Sequence, residues 1–235
     1  MSEEKSHNNP NAAGQHEEKE PGSFTLVLSL GIAGLLSGIV LASVYLFATP
    51  LIEANREEAL RQAIFKVLPG CSAYTTLELR DGVLGKEKEK TGKEEKSDGV
   101  VARIFAGFDQ GGRFIGFAVP GSEPGFQDII SVLYGYDVAG EMIVGFEVLE
   151  SKETPGLGDK IFKDAEFTAS FAALHVSPEI VPVKKGQKTA PNHLETITGA
   201  TISSKAVIRL LNNSLKEWKA TMEEFMKNNP GGKQE

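Results

Sequence analysis

One uninterrupted apolar segment near the N-terminus constrains the fold of this chain more than any other feature. No charged side chain occurs between Phe24 and Ala48. As an α-helix rising 1.5 Å per residue, this segment extends roughly 37 Å, which is enough to cross a bilayer with some tilt. The preceding residues are not basic, and the apolar run is longer than that of a signal peptide. We therefore expect an uncleaved single-pass anchor at 24–48 in a lipid bilayer.

The charges beside this anchor leave its orientation open. Lys5 and Lys19 precede it, and Arg56, Arg61 and Lys66 follow it. Because positive charge favours the cytoplasmic side and the two counts are nearly even, the positive-inside rule does not decide the orientation.

The rest of the chain divides by composition and hydrophobic period. A helical pattern follows the anchor and stops at Pro69-Gly70, and Thr49-Pro50 is expected to end or bend the anchor helix. The expected segments are a disordered polar tail at 1–23, the anchor at 24–48, a juxtamembrane helix at 49–70, a domain at 71–228 with a charged mobile loop at 85–99, and a tail at 229–235.

Alternating residues over 99–151 predict two antiparallel hairpins, with turns at 109–112 and 138–140. The hairpins echo each other, since Gly107 and Gly116 in the first correspond to Gly135 and Gly145 in the second. Short helical segments are expected near 164–175. A long C-terminal helix is indicated by the apolar stripe Val207, Leu210, Leu211, Leu215, Trp218, Met222 and Phe225. The predicted fold class is α+β, with an antiparallel sheet and flanking helices.

Composition argues against several classes of function. The formal net charge is −7, which disfavours a general nucleic-acid binder. Cys71 is the single cysteine, so no disulfide framework or iron–sulfur cluster forms within one chain. The four histidines lack metal-ligand spacing, and we expect no metal site.

The segment Thr198-Gly199-Ala200-Thr201-Ile202-Ser203-Ser204 leads directly into the C-terminal helical pattern. Thr201 therefore lies at or near a helix N-terminus, where backbone N–H groups are free and the helix dipole is positive. Such an end binds phosphate. The simpler alternative is that Thr198 or Thr201 is only an N-cap.

A second loop, Glu153-Thr154-Pro155-Gly156-Leu157-Gly158, combines two glycines with a stiffening proline. It is able to present backbone N–H groups to a flat ring or an anion. It is not a dinucleotide fingerprint, because no third glycine follows in register. On chemistry alone, an ordinary Gly-Pro turn remains the favoured interpretation.

Taken in order, four segments resemble one family: Pro50-Leu51-Ile52 with Asn55, Val67-Leu68-Pro69-Gly70, the Glu153–Gly158 loop and the Thr198–Ser204 core. They resemble the G subunit of the Rnf-type ion-translocating ferredoxin:NAD oxidoreductase over about residues 24–225. Residues 195–201 resemble the flavinylation motif of such proteins, with Glu195 where the family usually has Asp. The Gly125–Asp128 segment departs from the family pattern.

The resemblance implies FMN joined by a flavin transferase to Thr201 as a phosphoester. The flavin-binding residues it implies are Thr198, Gly199, Ala200, Thr201, Ile202, Ser203, Glu153, Thr154, Gly156, Leu157 and Gly158. It further implies a soluble domain on the periplasmic or extracytoplasmic side of the inner membrane, partner subunits of a redox-driven translocase, and no catalytic side chain of its own.

Three alternatives remain open. The first is the related C-type component of the sodium-pumping NADH:quinone oxidoreductase, which shares the Gly-Ala-Thr element. The second is an anchored FMN sensor, and the third is an assembly protein without flavin.

Overall fold

The computed structural model describes residues 22–80, 82–86 and 102–229. The chain forms two compact units, with the boundary between Ala54 and Asn55. The predicted tails at 1–23 and 229–235 and the charged loop at 85–99 lie almost wholly outside the described residues, although Gly85 and Lys86 belong to a strand.

Helix α1 (Ser23–Val67) contains the predicted anchor. Its most apolar 18-residue window has a mean hydropathy of 2.3, and it is the one helix among the described residues that is long and apolar enough to span a membrane. The helix does not end at Pro50. A proline removes a single backbone hydrogen bond, and the Thr49 hydroxyl donates to the Tyr45 carbonyl at 2.7 Å in the same turn.

The unit that begins at Asn55 contains a seven-stranded antiparallel sheet within the described part of the chain. Its strands, in chain order, are β1 (Ala73–Arg80), β2 (Val83–Lys86), β3 (Arg103–Phe108), β4 (Phe114–Pro124), β5 (Ile129–Asp137), β6 (Met142–Glu150) and β7 (Leu174–His175), and their spatial order is β2-β1-β3-β4-β5-β6-β7. The pairs β3–β4 and β5–β6 confirm the two predicted hairpins. Strands β1 and β2, over 73–86, were not predicted from the sequence.

The remaining elements follow β6. They are the short helices α2 (Lys160–Lys163) and α3 (Ala165–Ala169), the parallel strands β8 (Val181–Val183) and β9 (His193–Glu195), and the long helix α4 (Thr201–Asn228). The short helices therefore begin earlier than the predicted 164–175, and residues 174–175 form strand β7 instead.

Both faces of the sheet are covered within this unit. Helix α4 packs its predicted stripe on one face, together with alternate strand residues such as Ile104, Phe117 and Tyr134. The opposite face is covered by the end of α1, through Ala63, Ile64, Val67 and Leu68, against Phe105, Ala118 and Leu133. Cys71 packs against this second cluster. The end of the juxtamembrane helix is thus part of the domain core.

Four glycines let α1 approach the sheet. Gly107 lies opposite Gly116 and Gly135 lies opposite Gly145 in adjacent hairpins. A Cβ atom at Gly135 or Gly145 would collide with the backbone of Val67, and one at Gly107 would press on the Leu68 side chain. A Cβ atom at Gly116 would meet the Tyr136 carbonyl oxygen first and the Leu68 side chain next. The glycines repeated in the two hairpins therefore leave a shallow groove in the sheet, where the end of α1 packs.

Candidate functional site

The first turn of α4 positions the threonine motif. Thr201 is the first helical residue, as the sequence predicted, but the N-cap position is Ala200 and no side chain caps the helix. The N-cap interpretation of Thr198 or Thr201 is therefore wrong. The exposed Thr201 hydroxyl makes only a long hydrogen bond of 3.4 Å to the Ile197 carbonyl.

Ser204, rather than either threonine, fixes the entry to this helix. Its buried hydroxyl accepts from the Ile197 N–H at 3.1 Å and donates to the Ala200 carbonyl at 2.9 Å. Gly199 has a φ of +85°, a left-handed conformation that side chains disfavour. These local constraints present the Thr201 hydroxyl at the surface.

The same turn leaves backbone donors available. No described group accepts a hydrogen bond from the N–H groups of Thr201, Ile202 or Ser203. No acidic residue occupies the first turn. The donors and the positive end of the helix dipole therefore form an environment suited to an anion.

The Glu153–Gly158 loop forms a tight turn before α2. The Leu157 N–H donates to the Thr154 carbonyl at 3.1 Å, and Gly156 has a φ of +78°. The Thr154 hydroxyl donates to the Gln127 side-chain oxygen at 2.8 Å. This loop is therefore tied to the 125–128 turn between β4 and β5.

Glu153 is the central link of the site. Its Oε1 accepts from the N–H groups of Phe126 and Gln127 at 2.9 Å each, and from that of Asp128 at 3.5 Å. Its Oε2 accepts from the Ser203 hydroxyl at 2.5 Å, fifty residues away in the chain. One carboxylate thus joins the loop, the 125–128 turn and the first turn of α4.

Two glycines make room for this carboxylate. A Cβ atom on Gly125 or on Gly158 would collide with a Glu153 oxygen. The residue itself is 5% exposed. Gly158 is therefore required for close packing, whereas its predicted role was to expose backbone to a ligand.

The Glu153 carboxyl is held ionised without a described ion-pair partner. Burial raises its pKa, but the Ser203 hydroxyl and the backbone N–H groups of 126–128 together outweigh burial and lower the pKa below its usual value. Both oxygens are used inside the protein, so we expect Glu153 and Ser203 to position the site.

Leu157 and Lys160 lie beside the threonine motif. A Cβ atom built on Gly199 would be 4.0 Å from Leu157 Cδ2 and 3.9 Å from Lys160 Nζ. The structure therefore brings together the two predicted motifs. Lys160 and the 125–128 turn were not among the predicted flavin-binding residues. Gly125 and the lysine after Asp159 were the available signals.

An exposed apolar side chain lies on each of the three segments that Glu153 joins. Leu157 is 50% exposed, Ile202 is 56% exposed, and Phe126 is 64% exposed. Side chains of this size are usually buried. Apolar surface next to an anion-binding helix end suits a ligand that combines a flat ring with a phosphate.

A cleft of about 520 Å³ borders Thr198. It is lined by α2, α3 and the 185–198 segment, with Phe167 among its apolar residues. Four lysines line it: Lys160, Lys163, Lys185 and Lys188. Lys163 pairs with Asp159 at 2.6 Å and Lys185 with Glu166 at 2.7 Å.

The residue at the position of the usual aspartate, Glu195, also lines this cleft. Its carboxylate accepts from the Gly186 N–H at 3.0 Å. Among the described residues, no group of three or more His, Cys, Asp or Glu side chains is arranged to hold a metal ion.

Comparison with known proteins gives a consistent result. The model of the FMN-binding domain family matches residues 125–216, which include the 125–128 turn, the Glu153–Gly158 loop and Thr201. The chain is 26% identical to the G subunit of the ion-translocating oxidoreductase complex of Methanosarcina acetivorans, over 81% of this chain and 91% of that protein.

Two further relatives carry similar names. The G subunit of the Na(+)-translocating ferredoxin:NAD(+) oxidoreductase complex of Acetobacterium woodii is 28% identical, over 82% of this chain and 90% of that protein. The G subunit of the ion-translocating oxidoreductase complex of Haemophilus influenzae strain PittEE is 30% identical, over 76% of this chain and 82% of that protein.

Solved structures share the fold. Shewanella oneidensis NqrC aligns with a TM-score of 0.56 at 17% identity, over 73% of this chain and 99% of that chain. The C subunit of the Na(+)-translocating NADH-quinone reductase of Parabacteroides distasonis aligns with a TM-score of 0.53 at 21% identity, over 70% of this chain and 92% of that chain.

Proposed function

Because the chain belongs to the family of G subunits of ion-translocating oxidoreductase complexes, we propose that it carries FMN as a phosphoester of Thr201 and transfers electrons within such a complex. Its relatives include subunits of ferredoxin:NAD(+) oxidoreductases, and an FMN-binding domain is present. The covalent link is the additional element of the proposal.

One observation carries the proposal: an exposed threonine hydroxyl lies at the start of α4, beside three free N–H groups. A phosphate esterified to that hydroxyl lies within reach of those donors and of the positive helix end. Ser204 and Gly199 hold this conformation without using the Thr201 hydroxyl.

The surrounding residues fit the rest of FMN. Thr198, Gly199, Ala200 and Ile202 would line the approach to the phosphate, and Thr154, Gly156 and Leu157 would face the flavin ring. Glu153, Gly158 and Ser203 hold these two segments together. When bound, the isoalloxazine supplies the redox chemistry, so the protein needs no acid, base or nucleophile for electron transfer.

The proposal includes the cellular setting. The anchor of α1 lies in the inner membrane, the flavin domain lies on the extracytoplasmic side, and partner subunits supply and accept electrons. A flavin transferase attaches the FMN. Its donor is an activated FMN, such as a flavin dinucleotide. The donor's phosphoanhydride bond breaks as the Thr201 oxygen–phosphorus bond forms. The other nucleoside monophosphate of the donor leaves, and the Thr201 hydroxyl proton is released.

Peptide mass spectrometry tests the attachment site. Protein produced together with a flavin transferase is expected to carry one FMN on Thr201, visible as denaturation-resistant fluorescence on a gel. Thr201→Ala is expected to abolish it while the domain stays folded, because the lost hydrogen bond is long and exposed. Thr221→Ala, twenty positions further along α4, serves as the matched control and should retain the flavin. FMN on Thr198 or Ser203, or on no residue, would contradict the proposal.

The alternative of a C-type component of a sodium-pumping NADH:quinone oxidoreductase is favoured only by the shared fold. The G-type relatives, such as the one at 30% identity, favour the proposed assignment. Purification of the native membrane complex distinguishes them, because ferredoxin:NAD activity is expected for a G-type complex and NADH:quinone activity for a C-type complex. A flavin-carrying protein that co-purifies with neither complex would indicate a sensor. A protein without flavin would indicate an assembly role.

A further inference from the structure

Lys160 is the cation that the structure places beside the attachment motif. Its Nζ lies 3.9 Å from the point that a Cβ on Gly199 would occupy, two residues before Thr201. Lys160 is the first residue of α2, directly after the Glu153–Gly158 loop. Its position is therefore fixed by the same turn that places Leu157 beside Gly199.

No described carboxylate pairs directly with Lys160. Two other lysines of the cleft are engaged, Lys163 by Asp159 and Lys185 by Glu166. The positive charge of Lys160 also helps to lower the pKa of Asp159, but the hydrogen bond to the Asp159 carboxylate comes from Lys163 at 2.6 Å. In the part of the chain that the structure describes, the Lys160 side chain makes no hydrogen bond or ion pair. The residue is half-buried, and its ammonium group lies near Gly199.

We propose that Lys160 binds the phosphate of the FMN esterified to Thr201 and pairs with its negative charge. This inference rests on the proposed flavinylation of Thr201. A phosphodiester carries one negative charge, and the free N–H groups of α4 donate hydrogen bonds without neutralising it. The Lys160 ammonium group supplies a full positive charge that balances it. Hydrogen bonds from an ammonium group to phosphate are stronger than those between neutral groups.

Binding of the phosphate by Lys160 requires contact between the Glu153–Gly158 loop and the Thr198–Ser204 core. The Glu153–Ser203 hydrogen bond holds the loop against α4, and the loop in turn delivers Lys160 to Gly199. Glu153 and Ser203 are positioning residues in this arrangement. Lys160, in contrast, would contact the FMN phosphate directly.

The test uses the full-length protein in detergent, with Lys160→Met, Lys160→Arg and Lys216→Met. Lys216 is a matched control, since it is an exposed lysine on α4, fifteen positions after Thr201, or roughly 22 Å along the helix. Two quantities are measured: the initial rate of flavinylation with transferase and donor, and the ³¹P resonance of protein loaded to completion. Thermal melting checks that each variant is folded.

We expect Lys160→Met to slow flavinylation about tenfold, as loss of one charged hydrogen bond implies, and to shift the ³¹P resonance. Lys160→Arg should restore most of the rate, and Lys216→Met should match the wild type in both measurements. Wild-type rate and an unshifted resonance in Lys160→Met, with FMN on Thr201, would overturn this inference and leave the proposed function intact. A slower rate with an unshifted resonance would also overturn it, because Lys160 would then contact the transferase and not the phosphate. Absence of FMN from wild-type Thr201 would instead overturn the proposed function.

Discussion

At the scale of single residues, the most consequential side chain is Glu153, whose carboxylate accepts four hydrogen bonds from two other segments. A buried carboxylate is costly unless it is hydrogen-bonded, and here backbone N–H groups and one hydroxyl meet that need. The role of Glu153 is to position the Glu153–Gly158 loop against the first turn of α4.

Replacing Glu153 by Gln is expected to lower the free energy of unfolding by about 2 kcal/mol at pH 7, since the amide leaves buried donors poorly matched. The pKa of Glu153 is lowered in the folded state. The unfolded chain therefore binds the proton first. The stability that this carboxylate contributes is complete above the unfolded value of about 4.3 and is lost as pH falls through the folded pKa.

Urea denaturation between pH 3 and pH 7 checks this expectation. The difference between wild type and Glu153→Gln should be largest at neutral pH and shrink below about pH 4.3. Glu224→Gln is the control, because Glu224 is exposed on α4 and its removal should change stability by less than about 0.5 kcal/mol. A difference that stays constant with pH would show that Glu153 is not held ionised.

At the scale of elements, the end of α1 and the sheet are matched through glycine. Gly135 and Gly145 face each other on β5 and β6, and the Val67 backbone lies directly above them. Any side chain there pushes helix and sheet apart, and a packed core has little space to absorb the shift. The repeat between the two hairpins therefore has a packing cause.

Gly145→Ala is expected to destabilise the domain by about 3 kcal/mol, because the added methyl group meets rigid backbone and no flexible side chain can move aside. The midpoint of urea denaturation measures the effect. Gly85→Ala is the matched control, since Gly85 also lies in a strand but a Cβ there meets nothing within 4 Å. Equal midpoints for the two variants would contradict the close approach of α1.

At the scale of the whole molecule, the chain combines a membrane-length apolar helix with an FMN-binding domain of α+β fold. A covalent phosphoester suits such an arrangement, because a flavin fixed to its domain is not lost where free FMN is scarce. The side of the membrane on which we expect the domain follows from the family resemblance and not from charge.

Reporter fusions after residue 235 test this topology. A reporter that is active only outside the cytoplasm should be active, and a reporter that requires the cytoplasm should be silent. The same reporters fused after residue 22 act as the control and should give the opposite pattern, since one helix separates the two positions. Activity of the cytoplasmic reporter at the C-terminus would exclude an extracytoplasmic flavin domain.

Local patterns allowed much of the fold to be predicted from the sequence. The uncharged run at 24–48, the helix that begins at Thr201 and the β3–β4 and β5–β6 hairpins all have periods that depend on neighbouring residues alone. Strands β1 and β2 were not assigned. Of the two outcomes expected at Thr49-Pro50, an end or a bend of the helix, the end is excluded, because a long helix tolerates the loss of one hydrogen bond.

The sequence by itself therefore determined the apolar anchor helix, the two hairpins and the position of Thr201 at a helix start. Only the tertiary structure decided that the Glu153–Gly158 loop meets this helix start, that the 125–128 turn supports it, and that Lys160 lies beside Gly199. These contacts join residues that are 25 to 50 positions apart. They depend on strand order and register, which bring distant segments together and leave no periodic trace in the sequence.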